Sequence, residues 1–457
     1  MVHTVRGWLH RLGLVGAMLT LLGLQGCATS TGHYPVLERQ LALHDYVSAD
    51  AIVSKNVGAY PERDVVLYAL DRAVTLHLAG RYAESNAFLA QAEARIEALY
   101  TKSITTGIGA MFTNDALLPY EGEDFEKVQI NLLAALNYVY LGQLDEALVE
   151  ARKVDLKLTA YGQQYPTKPV YKEDAFARYL SGILYEARGE LNDAFIAYRK
   201  ALEAYEVYQQ AYGTPLPPML PGDLLRVTEA LGLREEYATY RQRFPTVSYI
   251  ALQTLRSQGE LIYLSYHGLA PVKLSSPVAF PVPGSAQRPL HVVQLAFPAF
   301  VPRPSSIASV QVVADSGNTR YITETHLVQD ITAIARKDLQ DRLGRISTKT
   351  LARAATKYAA ARGLEEGVRR GTGNDAAGLV VGILANIAGA ATERADTRSW
   401  RTLPAALHLA RLALPPGTYT VSAAYQASSG SVLEERAFPP ITVVAGTKTF
   451  LSSHLLR

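Results

Sequence analysis

Residues 175–204 read AFARYLSGILYEARGELNDAFIAYRKALEA, and this stretch decides the architecture of the first half of the chain. Its apolar positions recur at helical spacing on both sides of Gly189-Glu190-Leu191, which predicts two helices joined by a tight turn. Small residues at Gly182, Ala194 and Ala201 let antiparallel helices approach closely, while Tyr185, Leu191 and Tyr198 fill the seam between them.

The same unit occurs twice upstream. Ala73 and Leu76 precede Gly80-Arg81-Tyr82, then Ser85, Leu89 and Ala92 follow; Ala135 and Tyr138 precede Gly142-Gln143-Leu144, then Ala147, Ala151 and Val154 follow. Together the three units resemble tetratricopeptide (TPR) repeats, whose period is about 34 residues. The turn glycines lie 62 and 47 residues apart, so residues 100–128 and 158–173 read as insertions. A fourth unit around Leu225, Gly232 and Tyr237 fits poorly and reads as the terminal cap. The expectation is a TPR-like α-solenoid over residues 61–245, preceded by a mixed stretch, 27–60, that reads as a tether or a first irregular helix.

Repeat registration assigns a concave face to Leu67, Leu70 and Val74, to Leu132, Leu136 and Val139, and to Phe176, Tyr179 and Ile183. A groove for a peptide carboxylate needs Lys, Arg and Asn at such positions, and these are apolar. Two occupants stay open: the chain's own insertion or second domain, and an amphipathic helix or extended segment of a partner. The acid-rich run Asn114-Asp115, Tyr120-Glu121-Gly122-Glu123-Asp124 and Glu126 lacks the order of a calcium loop. It reads as a solvated turn, with Asp124 capping a helix.

From residue 258 to 457 the period drops to two. Leu261–Tyr266, His291–Phe297, Ile307–Ala314, Thr319–Thr323, Ala405–Ala413, Tyr419–Gln426, Val432–Ala437 and Thr447–Leu455 read as strands. Asp315-Ser316-Gly317-Asn318 supplies a hairpin turn, and the prolines between Pro271 and Pro304 confine their stretches to edges and loops. The fold class is therefore α+β and multidomain: a TPR-like solenoid, then an antiparallel β-sandwich-like domain interrupted by a helical insertion over about 328–395.

That insertion is charged in its first part and apolar in its second. Residues 336–370 carry ten bases against four acids, and Arg345, Lys349, Arg353 and Lys357 recur every fourth position as one helical stripe. Like charges at that spacing repel, so the stripe is either a solvated face paired with acids elsewhere or a docking surface for an anionic partner. Ala376–Ala391 follows, with Gly378, Gly382 and Gly389 at small-residue spacing. It falls short of the about 20 residues a membrane span requires. It reads as a packed helix, with a self-association seam and membrane insertion as alternatives. Trp400 in the return linker reads as a packing anchor.

The N-terminus supplies an address. Arg6 and Arg11 precede the apolar run Leu12–Leu24, which ends in Leu24-Gln25-Gly26-Cys27. This resembles a lipoprotein lipobox, which implies cleavage of residues 1–26 as a signal peptide and lipid attachment at Cys27, the single cysteine. Ala28 and Thr29 follow in place of Asp, which by that resemblance implies the periplasmic face of the outer membrane. Several acyl chains at about 0.8 kcal/mol per buried CH₂ would make such an anchor permanent.

Bases and acids number 45 and 42, which disfavours nucleic acid as a partner. No histidine pair has metal-ligand spacing, and there is no G-x-S-x-G elbow or phosphate loop. No cofactor and no catalysis are expected beyond the covalent lipid.

Together Cys27, the repeat units, Asn114-Asp115 with Tyr120-Glu121-Gly122, Asp396-Thr397-Arg398-Ser399-Trp400 and Leu414-Pro415-Pro416-Gly417-Thr418-Tyr419 resemble a family of Gram-negative lipoproteins with TPR-type repeats. The resemblance implies architecture and location and supplies no activity. The function it supports is a lipid-anchored scaffold or adaptor binding envelope proteins. The alternatives are an oligomeric structural or export component assembled through the Gly-rich helix and, further off, a glycan-processing enzyme.

Overall fold

The computed structural model describes residues 31–105, 115–164, 173–282, 291–372 and 395–456. Cys27 and the glycines at 378, 382 and 389 lie outside the described residues. Helices come in neighbouring pairs: α1 (Tyr34–Ala42) with α2 (Tyr46–Lys55), α3 (Val65–Leu78) with α4 (Tyr82–Thr105), and α5 (Asp124–Tyr140) with α6 (Leu144–Gln164). Two more follow, α7 (Ala175–Arg188) with α8 (Leu191–Tyr212) and α9 (Met219–Leu231) with α10 (Arg234–Arg243).

Each pair turns on a residue in the left-handed region: Gly80, Gly142, Gly189 and Gly232, and in the first pair His44, at φ 61°. Glycine adopts that conformation without steric cost and histidine does not. This corrects the tether reading, because residues 34–55 form a full helix pair whose turn lacks the glycine. His44 lies 36 residues before Gly80, close to the TPR period. Its ring meets the Tyr46 hydroxyl at 3.0 Å and Glu434 at 3.2 Å, contacts that help hold the strained turn. Tyr34, Leu37 and Leu41 are buried, so the pair belongs to the core.

At Gly182 the close approach expected from sequence is present. A Cβ there would sit 2.3 Å from the Tyr198 ring. The carboxylate-rich turn differs from expectation. Glu123, not Asp124, caps α5 in a reciprocal capping box with Glu126, and Tyr120, Glu123 and Glu126 are all buried.

After α11 (Leu252–Ser257) come β1 (Gly259–His267), β2 (Val272–Val282), β3 (His291–Val301), β4 (Ser309–Asp315), β5 (Arg320–Glu324) and β6 (His326–Asp330). The long helix α12 (Ile331–Thr372) starts directly after β6, so the helical insertion begins later than residue 328. Then follow β7 (Ala406–Leu414), β8 (Gly417–Gln426), β9 (Val432–Ala437), β10 (Ile441–Val443) and β11 (Lys448–Leu455). One sheet runs β11-β1-β7-β6, and a second runs β10-β8-β4-β5 with β9 also on β8. β2 and β3 form a separate ribbon, with Pro277 and Pro281 tolerated because an edge strand needs only half its N–H groups. β1 and β11 pair in parallel, so the first sheet is mixed rather than purely antiparallel.

Strand alternation divides β1 between two cores. Leu261 and Tyr263 join Val310, Val312, Val421 and Tyr425 between the sheets. Ile262, Leu264 and Tyr266 face the helices and share one core with residues from Tyr34 to Tyr240. The described chain is thus layered as helices, mixed sheet and second sheet, with one apolar core common to both halves of the sequence.

Candidate functional site

The nine side chains assigned to the concave face, Leu67, Leu70, Val74, Leu132, Leu136, Val139, Phe176, Tyr179 and Ile183, are at most 6% exposed. The groove is occupied by this chain's own mixed sheet and return linker, so these residues are closed to a partner in this conformation. The physical reason lies in β1 and β7: both present aliphatic side chains on the helix-facing surface, which an apolar groove buries.

Within that interface sits a charge cluster. Arg226 on α9 bonds Glu186 of α7 at 2.6 Å and Asp223 at 2.5 Å. Arg411 reaches across from β7 to Asp223 at 2.5 Å, Glu186 at 3.3 Å and, within the sheet, Glu260 at 2.7 Å. Lys448 on β11 closes the set on Glu186, at 3.2 Å, and Glu260. The Tyr179 and Tyr198 hydroxyls donate to Asp223 and Glu186 at 2.7 and 2.8 Å. Three acids meet three bases, all nearly inaccessible. Burial alone would favour the protonated acids, but Arg411 and Lys448 overcome it and push Glu260 down to about 2. Lys448, Arg226 and Arg411 likewise overcome burial at Glu186 and hold it well below its ordinary range.

A second cluster joins the return linker, α12 and the ribbon to the helices. Arg398 bonds Asp64 at 2.8 Å, Asp396 at 2.7 Å and the carbonyls of Leu118 and Asp115 at 2.9 and 3.0 Å. Lys273 of β2 meets Glu123 at 2.5 Å, and Arg342 of α12 contacts Glu123 and bonds Asp338 at 2.8 Å. Glu126 accepts from the Trp400 backbone N–H at 2.8 Å and from the Tyr120 hydroxyl at 2.5 Å. Burial dominates here. It pushes Glu126 up to about 7 and Asp338 up to about 8, the neighbouring acids adding to the shift at Asp338.

Between them, Asp71 is fully buried and accepts from Tyr34, Tyr60 and Thr402 at 2.7, 2.9 and 2.8 Å. Burial raises it to about 6 against those three donors.

The basic stripe lies on α12, as its spacing requires. Lys349 is half-buried with its amine 3.8 Å from Asp115; the side chains of Arg345, Arg353 and Lys357 lie outside the described residues. Trp400 is buried. Among the described residues no group of three His, Cys, Asp or Glu could hold a metal ion, and no helix is long and apolar enough to cross a membrane. Sequence reasoning missed Glu260, Arg411 and Lys448, although the alternation of ALHLARLAL sets Arg411 on the same face as Leu407 and Leu409.

No protein-family model and no curated protein matches the chain. Among solved structures, it is similar to the nearly identical TPR-like repeats of a Podosopora anserina putative kinesin light chain, at 14% identity over 47% of this chain and 92% of that one, with a TM-score of 0.31. A MamA structure, MSR-1, matches at 12% identity over 47% of this chain and 94% of that one, with a TM-score of 0.28. Apo RapI matches at 12% identity over 50% and 58% of the two chains, with a TM-score of 0.34. Such likenesses carry no argument about activity. The class that fold and site define is a helical-repeat protein whose inner face is bound to its own β layer.

Proposed function

We propose that this protein is a lipid-anchored adaptor on the periplasmic face of the outer membrane, fixed at Cys27 and binding envelope proteins without catalysis. The observation that carries this reading is the closed inner face. With the groove bound to the chain's own sheet, the repeats serve as a rigid body and partner contact moves to outward surfaces. Those surfaces hold exposed Val149 and Leu156 on α6 and Val207 on α8, apolar side chains on the second helix of two of the pairs.

The test has two arms. Wild type stays with outer-membrane fractions after a salt wash and Cys27→Ala is released; a membrane-bound Cys27→Ala removes the anchor from the account. Photo-crosslinking groups at positions 156 and 207 then form adducts with an envelope protein in cells, while one placed at buried Ile183 forms none. Adducts absent at both outer positions contradict the adaptor reading.

A further inference from the structure

The mixed sheet ends differently on its two sides. At the β6 edge the Tyr205 hydroxyl of α8 donates to the Val328 carbonyl at 2.9 Å, so the helical layer covers that edge. β11 forms the other edge. The Glu260 N–H donates to the Thr447 carbonyl and the Gly268 N–H to the Leu455 carbonyl, which fixes the parallel ladder. Parallel pairing uses alternate residues, so Phe450 and Ser452 turn their N–H and C=O groups away from β1. Among the described residues no hydrogen bond reaches those outward groups. Exposed edges are usually blunted by charge or proline, and the centre of β11, Thr449-Phe450-Leu451-Ser452-Ser453, carries neither.

Alongside this edge lies a cavity of about 430 Å³, lined on the helical side by Tyr82, Tyr140, Gly142 and Leu144 and on the strand side by Phe450 and Ser452. The Tyr82 and Tyr140 rings are 5.0 Å apart at their centres. Tyr140 is partly buried with its hydroxyl inaccessible, and that hydroxyl approaches Tyr266 and Ser452 without a well-formed hydrogen bond. Behind it the Tyr266 hydroxyl and the His454 Nε2 are likewise unpartnered.

We infer that this groove binds an extended segment of a partner protein as an added strand on β11, with an uncharged aromatic or aliphatic side chain seated against Tyr82 and Tyr140. The open backbone groups recur at one pleat repeat, about 7 Å, which matches another strand and not a helix, whose backbone is already satisfied. Lys448 at the rim is held by Glu260 and Glu186, so an acidic anchor gains nothing from it. The groove continues the helix–sheet interface, and an added strand would extend the existing middle layer. This inference rests on the adaptor reading and names its binding mode.

The test uses the whole lipid-free chain and a displayed library of random linear peptides. Enriched peptides bind wild type and Ser452→Ala alike and bind Ser452→Pro at least about tenfold more weakly, since proline removes the outward N–H and spares the ladder. Leu144→Trp, which fills the cavity and leaves the strand's own sequence unchanged, weakens binding comparably and carries the test if Ser452→Pro misfolds. In hydrogen exchange the Phe450 and Ser452 amides are fast in the free protein and slow with peptide bound. A selection that enriches nothing, peptides indifferent to both variants, or amides already protected in the free protein overturns the inference. Protection that grows with protein concentration also overturns it, by giving the edge to a second copy. Any of these results with crosslinks still forming at positions 156 and 207 leaves the adaptor reading standing.

Discussion

Around Arg411, three acids (Glu186, Asp223, Glu260) meet three bases (Arg226, Arg411, Lys448). Around Glu126, five acids (Asp64, Glu123, Glu126, Asp338, Asp396) meet three bases (Lys273, Arg342, Arg398). Both clusters are buried where the two halves of the sequence join. In the first, cations outweigh burial at Glu186 and Glu260 and hold both below the ordinary carboxylate range. In the second, acid is in excess, and burial resolves it by keeping protons on Glu126 and Asp338. One joint therefore holds its acids low and the other holds two of its acids high, and they should respond differently to mutation and to pH.

The largest effect is expected at the balanced cluster. Arg411→Met leaves Glu260, Asp223 and Glu186 short of a cation and should cost about 3–5 kcal/mol in urea unfolding. A loss below about 1 kcal/mol would mean that water reaches the cluster and screens it.

Next comes pH, where the two joints oppose each other. Glu126 and Asp338 have folded values raised to about 7 and 8, so the folded state binds more protons than the unfolded chain between about pH 4 and 8. Their contribution is full at low pH and fades as pH rises through that window. Glu260 is lowered to about 2, so its contribution is full above its ordinary range and fades as pH falls toward 2. Melting temperature should therefore fall from mildly acidic to alkaline pH, and Asp338→Asn with Glu126→Gln should flatten that fall. A double variant that drifts like wild type contradicts the role given to these two raised acids.

The smallest effect is the control. Arg370 and Glu366 form an exposed pair on α12, and Arg370→Ala should leave the urea midpoint unchanged.

What could be read from sequence follows the same physics. The unit around Gly189 was legible because glycine at the turn and Gly182 beneath Tyr198 both leave a mark in residue type. The pair around His44 was not, because histidine occupies the same backbone conformation without announcing it. The run 114–126 looked solvated because acids usually are, and the bases that bury it, Lys273, Arg342 and Arg398, lie more than a hundred residues away. The residues assigned to the concave face are buried. Which object covers them depended on tertiary pairing that no local spacing records.

Trp400 gives the most direct test of the central claim, that the sheet and the repeat face are one packed unit. It lies buried in the interface, its backbone N–H on Glu126, and it is the single tryptophan once residues 1–26 are absent. Urea unfolding should show Trp400 fluorescence and far-UV helical circular dichroism changing together, with one midpoint. A Trp400 signal that changes at lower urea while the helical signal persists would contradict the account, because it would mean the sheet leaves an intact solenoid with an open groove.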